Sequence, residues 1–344
     1  MSQMMREILE QPRALERTFQ AERAHALEFQ RMAKLWHFRM IVLVARGTSD
    51  NAALFGRYLL EITTGIPVSL CAPSVHTLYH APVNYRGALV VGISQSGEGT
   101  DINMVLKAAR NQGAITVGIT NEARSTMARV VDEVFLVRAG KQYSVAATKT
   151  YSGQLMMFYL LASALGPHIT LSSVSEIPQR VQETLGLADE MHAVVERYRF
   201  MRQCAVVARG INYANAYELA LKLMETCYVV AERFSSADFL HGPIALMERD
   251  FPVLMIMPPG KTFGDLKTLV GRLRELRADT LVITSAGARL PRDTRALRVP
   301  GSMPEIYSPI PYIVPGQLFA ALLAKVKGID PDKPRSLQIV TRTV

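Results

Sequence analysis

The stretch "RMIVLVARGTSDNAALFGRYLLE", residues Arg39–Glu61, has an echo far downstream in "CAVVARGINYANAYELALKLME", residues Cys204–Glu225. In each, a short apolar run closes on Ala-Arg-Gly and an Ala- and Leu-rich helical pattern follows. Val44-Ala45-Arg46-Gly47 aligns with Val207-Ala208-Arg209-Gly210. The correspondence continues along both halves. "ALVVGISQSGEGTD" (88–101) answers to "FPVLMIMPPGKTFGD" (251–265), and "AITVGITNEAR" (114–124) to "DTLVITSAGAR" (279–289). Short β-rich apolar runs alternating with helical segments imply parallel sheets covered on both faces. The expected fold is therefore α/β, with two doubly wound parallel-sheet domains related by duplication.

The expected boundaries follow from composition. Residues 1–35 read as a helical segment, 36–170 as the first domain, 185–325 as the second and 326–344 as a tail. Gly, Pro and Ser cluster in "GPHITLSSVSEIP" between the two halves, as in a connection. The segment "IVPGQLFAALLAKVKGIDPDKPRSLQIVTRTV" (313–344) finds no counterpart in the first half, and its charged end reads as a tail packed over something.

A chain of 344 residues, 49% hydrophobic and 20% charged, can bury two substantial cores. The net charge of +9 comes from bases scattered through amphipathic stretches such as "LKTLVGRLRELRAD". No basic run with interleaved aromatics stands out, so nucleic acid is not an expected partner. A positive field does favour small anionic substrates. "QLMMFYLLASALG" suits a buried helix and is too short to span a bilayer, and the N-terminus lacks the apolar core of a secretory signal. Three dispersed cysteines (Cys71, Cys204, Cys227) suggest a reducing compartment and no zinc site. A cytoplasmic protein without metal or redox cofactor is expected.

Between the apolar run ending at Gly92 and the helical spacing of Ile102, Val105, Leu106 and Ala109 lie Ser94, Gln95, Ser96, Gly97, Gly99 and Thr100. Backbone N–H groups at a helix start, joined by hydroxyls, favour a phosphate. No GK[ST] or GxGxxG pattern is present, which argues against a nucleotide P-loop or a dinucleotide site. Taken alone, these residues fit a simple helix cap equally well. The matching turn of the second half, "MPPGKTFGD", has lost its Ser-Gln-Ser cluster, which favours phosphate binding by the first domain only. Gly47-Thr48-Ser49 and "SVAATKT" (Ser144–Thr150) add two further hydroxyl-rich turns.

Together these stretches resemble the sugar isomerase (SIS) domain family. They are similar to the tandem-domain isomerase half of glucosamine-6-phosphate synthase and to stand-alone enzymes that deaminate or isomerise amino-sugar phosphates. The carriers are "GTS" (47–49), "SQSGE" (94–98), "SVAATK" (144–149), "ELALKLMET" (218–226), "HGP" (241–243), "KGIDPDKPRSL" (327–337) and the opening "REILEQP". The resemblance implies that Gly47, Thr48, Ser49, Ser94, Gln95, Ser96, Val145 and Ala146 surround a sugar phosphate. It also implies that Thr100 replaces a hydroxyl that the family places directly after SQSGE. No glutaminase-like segment is seen, so glutamine hydrolysis within this chain is not expected.

Moving a hydrogen between C1 and C2 of a sugar needs a base that takes a proton and returns it next door. Glu218, Lys222 and Glu225 form one polar stripe on a helix otherwise rich in Ala and Leu. By spacing alone the stripe reads as a solvent-facing ion pair. The resemblance instead implies that Glu225 transfers the proton, that Lys222 supports it and that Glu218 is structural. It also implies that His241 opens the sugar ring and reaches the site from a neighbouring subunit of a homodimer. The remaining histidines (25, 37, 76, 80, 168, 192) read as structural.

Two departures stand out. Where the family tail carries an imine-forming lysine, this chain has Gln338 and Ile339 after Leu337; Lys325, Lys327 and Lys333 stand nearby in sequence. Gln142 also replaces an acidic residue ahead of the "SVA" turn. A substrate that already bears an amine needs no imine from a lysine. The expected reaction is thus glucosamine 6-phosphate to fructose 6-phosphate plus ammonia. The alternatives are a fructosyl-amine 6-phosphate deglycase, a plain aldose–ketose isomerase, or a non-catalytic sugar-phosphate sensor. Sensors of this type usually carry a helix-turn-helix unit, for which the residues before the first strand are too few.

Overall fold

In the computed structural model, which describes residues 1–337, ten strands form two parallel sheets. The first sheet contains β1 (Met40–Val44), β2 (Val68–Leu70), β3 (Ala88–Ser94), β4 (Ile115–Thr120) and β5 (Glu133–Leu136), in the order β2-β1-β3-β4-β5. The second contains β6 (Gln203–Ala208), β7 (Val230–Ser235), β8 (Pro252–Ile256), β9 (Asp279–Ser285) and β10 (Arg295–Val299), in the order β10-β9-β8-β6-β7. Read from the second strand of each half, the two orders are the same. The duplication expected from the sequence is therefore a duplication of topology. In each sheet the chain departs in opposite directions from the first strand, opening a crevice between β1 and β3 and another between β6 and β8.

The strands are apolar on both faces because helices cover both. β3 is buried along its whole length. Val42, Val90, Val105, Leu106 and Met127 fill one side of the first sheet. Val207, Val253, Met255, Leu269 and Val282 do the same for the second.

Chain contacts group the described residues into two compact units. One comprises Gln11–Gln142 and Lys149–Glu176, and the other comprises Met1–Glu10, Tyr143–Thr148 and Ile177–Leu337. The "SVAAT" turn and the first helix therefore belong with the second sheet, although they arise in the first half of the chain.

The helix after each fifth strand is apolar all round. Lys149–Leu165 packs against the helices Gln11–Ala33 and Thr48–Thr64, and Pro309–Val326 packs against Tyr213–Cys227 and Ala188–Arg197. Both carry Gly-Gln-Leu, at 153–155 and 316–318. Both glycines permit close approach: a Cβ would lie 2.4 Å from a Val137 methyl at Gly153 and 3.2 Å from a Leu219 methyl at Gly316. This corrects the expectation that the C-terminal segment lacks a first-half counterpart. Pro309, Pro311 and Pro315 hide the helical pattern, yet Pro309 occupies the first turn, where no donor is missed. The 18-residue helix is long and apolar enough to cross a membrane, but 89% of it is buried inside the protein, as for a core helix.

Candidate functional site

The Ser94–Thr100 turn is built so that its acceptors face the protein. The Gln95 carbonyl accepts from Asn121 N–H at 3.1 Å and from the Thr120 hydroxyl at 3.3 Å. The Gly97 carbonyl accepts from Met127 N–H at 2.9 Å and from the buried Asn103 amide at 3.1 Å. Ser94 and Ser96 oxygens accept from Gly97 N–H and Glu98 N–H at 3.1 and 3.3 Å. Among the described residues no hydrogen bond engages the N–H of Gln95 or Ser96. With the Gln95 and Gly97 carbonyls engaged by the protein, these two donors beside the start of the helix Thr100–Asn111 are of the chemistry that suits an anion.

Gly97 is required at the bend: its φ is +65°, and a Cβ there would sit 2.3 Å from the Ser125 hydroxyl. Glu98 points away and caps the next short helix, accepting from Thr126 N–H at 2.8 Å and its hydroxyl at 2.7 Å. Thr100 is exposed at the first helical position, consistent with a hydroxyl available to a ligand.

Across the β1/β3 crevice, Gly47 (φ 57°) leads into the helix that begins with Thr48 and Ser49. Ser49 is buried, and its oxygen accepts from the Gln154 amide at 2.9 Å, which leaves its hydrogen free to donate elsewhere. Arg46 pairs with the fully buried Asp101 at 2.8 Å, tying β1 to the helix after the turn.

In the other unit, the polar stripe on Tyr213–Cys227 does not face solvent. Glu218 is fully buried and the Lys222 side chain is 1% exposed, while 20% of the Glu225 side chain is open. The Lys222 ammonium lies 2.6 Å from Glu225 Oε2 and 3.4 Å from Glu218 Oε1. Burial by itself would lower the lysine's pKa, but attraction to Glu218 and Glu225 and hydrogen bonds to both outweigh it. The ammonium is held above its ordinary value. A buried cation thus spans one hidden carboxylate and one that reaches the surface. Sequence spacing could not tell this from an exposed i, i+4 pair.

Val145 is half-buried and Ala146 fully buried in this same unit. Their turn is pinned by the buried Glu7 carboxylate, which accepts from Tyr143 N–H at 2.6 Å and more weakly from Ser144 N–H at 3.4 Å. Glu7 went unassigned in the sequence, although it lies inside the resemblance-bearing "REILEQP". Gln142, the residue standing in place of an acid, accepts from the Thr150 hydroxyl. His241 ends the short helix Ser236–Leu240, and its ring is exposed and without a hydrogen bond among the described residues. Leu240 and Leu246 beside it are 41% and 57% exposed. Lys327 donates to the carbonyls of Arg199 and Met201 at 3.2 and 2.7 Å, so it serves as a local tie. Gln338 and Ile339 lie outside the described residues.

The SIS domain model matches residues 34–164 and again 201–326, one match over each sheet. The chain belongs to the SIS domain family. It is 36% identical over 344 residues to the glutamine–fructose-6-phosphate aminotransferase (isomerizing) of Pyrococcus horikoshii, with 97% of this chain aligned. That alignment covers 56% of the relative, so the SIS chain spans about half the length of the curated relatives it matches. The C-terminal domain of glucosamine-fructose-6-phosphate aminotransferase from Francisella tularensis superposes with a TM-score of 0.86 at 25% identity. That superposition covers 96% of this chain and 98% of that one. Glucosamine-6-phosphate deaminase from Thermotoga maritima shares the fold at 22% identity, with a TM-score of 0.75 over 99% of this chain and all of that one.

Proposed function

We propose that this SIS protein is a phosphosugar isomerase acting on an amino-sugar phosphate, converting glucosamine 6-phosphate and water to fructose 6-phosphate and ammonia. The observation that carries the reading is the buried Lys222 between Glu218 and the partly open Glu225. A partly open carboxylate positioned by a shielded cation is equipped to take a proton from C2 and return it to C1. Glu218 neutralises the lysine from the buried side, so the ammonium need not surrender its proton.

In this reading the phosphate rests on the Ser94–Thr100 turn and is also bound by Thr48 and Ser49. The Val145–Ala146 turn contacts the sugar. His241 protonates the ring oxygen and opens the hemiacetal. Proton transfer at Glu225 then gives a C2 imine of fructose 6-phosphate, which water hydrolyses to the ketone with release of ammonia. The substrate brings its own amine, so a tail with Ile339 in place of a lysine is compatible with the reaction. The exposed His241 with Leu240 and Leu246 beside it supports a homodimer in which a second copy covers this loop.

The test is an assay with glucosamine 6-phosphate that follows ammonia and fructose 6-phosphate together. Equal appearance of both, lost in Glu225→Gln, is the expected result. Fructose 6-phosphate formed only from glucose 6-phosphate would replace it with plain aldose–ketose isomerisation, and release of a larger amine from a fructosyl-amine would mark a deglycase. Thermal stabilisation without turnover would leave a sugar-phosphate binding module. Size-exclusion chromatography with light scattering tests the dimer.

A further inference from the structure

At the N-terminal edge of the first sheet, a buried threonine meets an internal anion. Asp132, just before β5, accepts from Thr116 N–H at 2.9 Å and from the Thr116 hydroxyl at 2.7 Å. Arg110 Nε donates to its other oxygen at 2.9 Å. The second sheet repeats this corner in register. Leu281 pairs with Arg295 as Val117 pairs with Glu133, so Thr280 stands for Thr116 and Thr294 for Asp132. Arg277 N–H donates to the Arg274 carbonyl as Gly113 N–H does to that of Arg110, so Arg274 stands for Arg110.

The carboxylate is what the second copy lacks. The Thr294 hydroxyl donates to the Pro291 carbonyl at 2.8 Å instead. The Thr280 hydroxyl is buried, with no hydrogen-bond partner among the described residues. Arg274 comes no nearer than 3.9 Å to Asp293, whose side chain is 89% exposed. Thr280, Arg274 and Thr294 line a cavity of about 260 Å³.

The same corner has become basic. Arg295 stands where the first copy has Glu133. Arg277 stands where it has Gly113 and keeps the left-handed backbone (φ 59° against 81°), which glycine adopts freely and arginine does not. Five arginines and three aspartates line the cavity, an excess of two positive charges. Asp279 already holds Arg197 and Arg295, at 2.7 and 2.5 Å. The guanidinium groups of Arg277 and Arg292 have no ion pair or hydrogen bond among the described residues.

We propose that this cavity binds a small, doubly charged oxyanion, of which phosphate is the simplest. The anion accepts from the Thr280 hydroxyl and Arg274, as Asp132 does from Thr116 and Arg110. Arg277 and Arg292 match its second charge. Both are exposed, as is Arg274, so these long side chains can open and fold over a ligand. Every residue of the site belongs to the unit of the second sheet, and the inference is independent of the role proposed for the Ser94–Thr100 turn.

The test follows the melting temperatures of wild type, Thr294→Asp and Thr280→Val during titration with inorganic phosphate, with ionic strength held constant by potassium chloride. Thr294→Asp restores the internal carboxylate of the first copy. It should melt above wild type without phosphate, and at about a hundredfold excess over Kd it should gain roughly 5–10 °C less than wild type. Thr280→Val removes one donor at nearly constant volume, so the phosphate needed for the same gain should rise roughly tenfold. Any phosphate held by the Ser94–Thr100 turn adds equally to all three proteins and cancels in the comparison. Equal phosphate responses in wild type and both variants would overturn the proposal, as would a wild type that does not respond. If Thr294→Asp does not fold, the Thr280→Val titration decides by the same criterion.

Discussion

Replacing Lys222 by methionine separates a buried structural ion from an incidental one. The substitution preserves length and helix propensity but leaves the fully buried Glu218 carboxylate without its cation. Removing one member of a buried pair typically costs about 3–5 kcal/mol, because the survivor is an uncompensated charge. For a unit of this size that corresponds to a fall in melting temperature of roughly 6–20 °C. Adding Glu218→Gln should then recover much of the loss, since the double variant has no hidden charge. The recovery is a coupling that a double-mutant cycle reads directly. Glu225→Gln should behave differently, because part of this side chain already reaches solvent. Its melting point should change by no more than about 1 kcal/mol equivalent, while turnover falls by roughly 10²–10⁴ as expected for loss of a proton-transferring group. Calorimetry with parallel kinetics makes the comparison. A Lys222→Met protein as stable as wild type, or a Glu218→Gln/Lys222→Met protein no better than Lys222→Met, would refute the reasoning.

Two further outcomes follow from other groups. Gln154→Glu turns the Ser49 partner from donor to acceptor and so claims the serine hydrogen; KM for the phosphorylated substrate should rise roughly tenfold or more above that of Gln154→Met, and equal KM values would remove Gln154 as a positioning residue. His25 stacks on Phe135 with its ring nitrogens 3.4 Å from Glu22 and 3.1 Å from Glu133, while Glu22 also pairs with Arg138. The hydrogen bond to Glu22 outweighs burial, with Glu133 adding to it, and raises the histidine above its ordinary 6.5. A raised folded-state pKa stabilises the protein fully below the unfolded value, and the gain disappears as pH climbs through the folded one. The melting-temperature advantage of wild type over His25→Gln should therefore be greatest below about pH 6.5 and shrink on the alkaline side; an advantage independent of pH would refute this.

The repeated Ala-Arg-Gly strand endings, the apolar runs and the hydroxyl-rich turn are local patterns, and they determined both sheets and the place of the turn proposed to hold the anion. Backbone periodicity and glycine placement act over a few residues, which makes them legible in one dimension. The fate of the polar side chains was decided elsewhere. Glu218, Lys222 and Glu225 have the same spacing whether their helix faces water or a neighbour. Packing of the helix Pro309–Val326 against theirs helps to fix which face is hidden. Ser49 acquires its partner 105 residues away, the "SVAAT" turn is tied by Glu7 across more than 130, and Glu305 accepts from Lys261 N–H across 44. A carboxylate or amide carries no local mark of the donor it will meet. Only the folded chain, by desolvating some of these groups and leaving others open, divides them into hidden charges and groups that reach the surface.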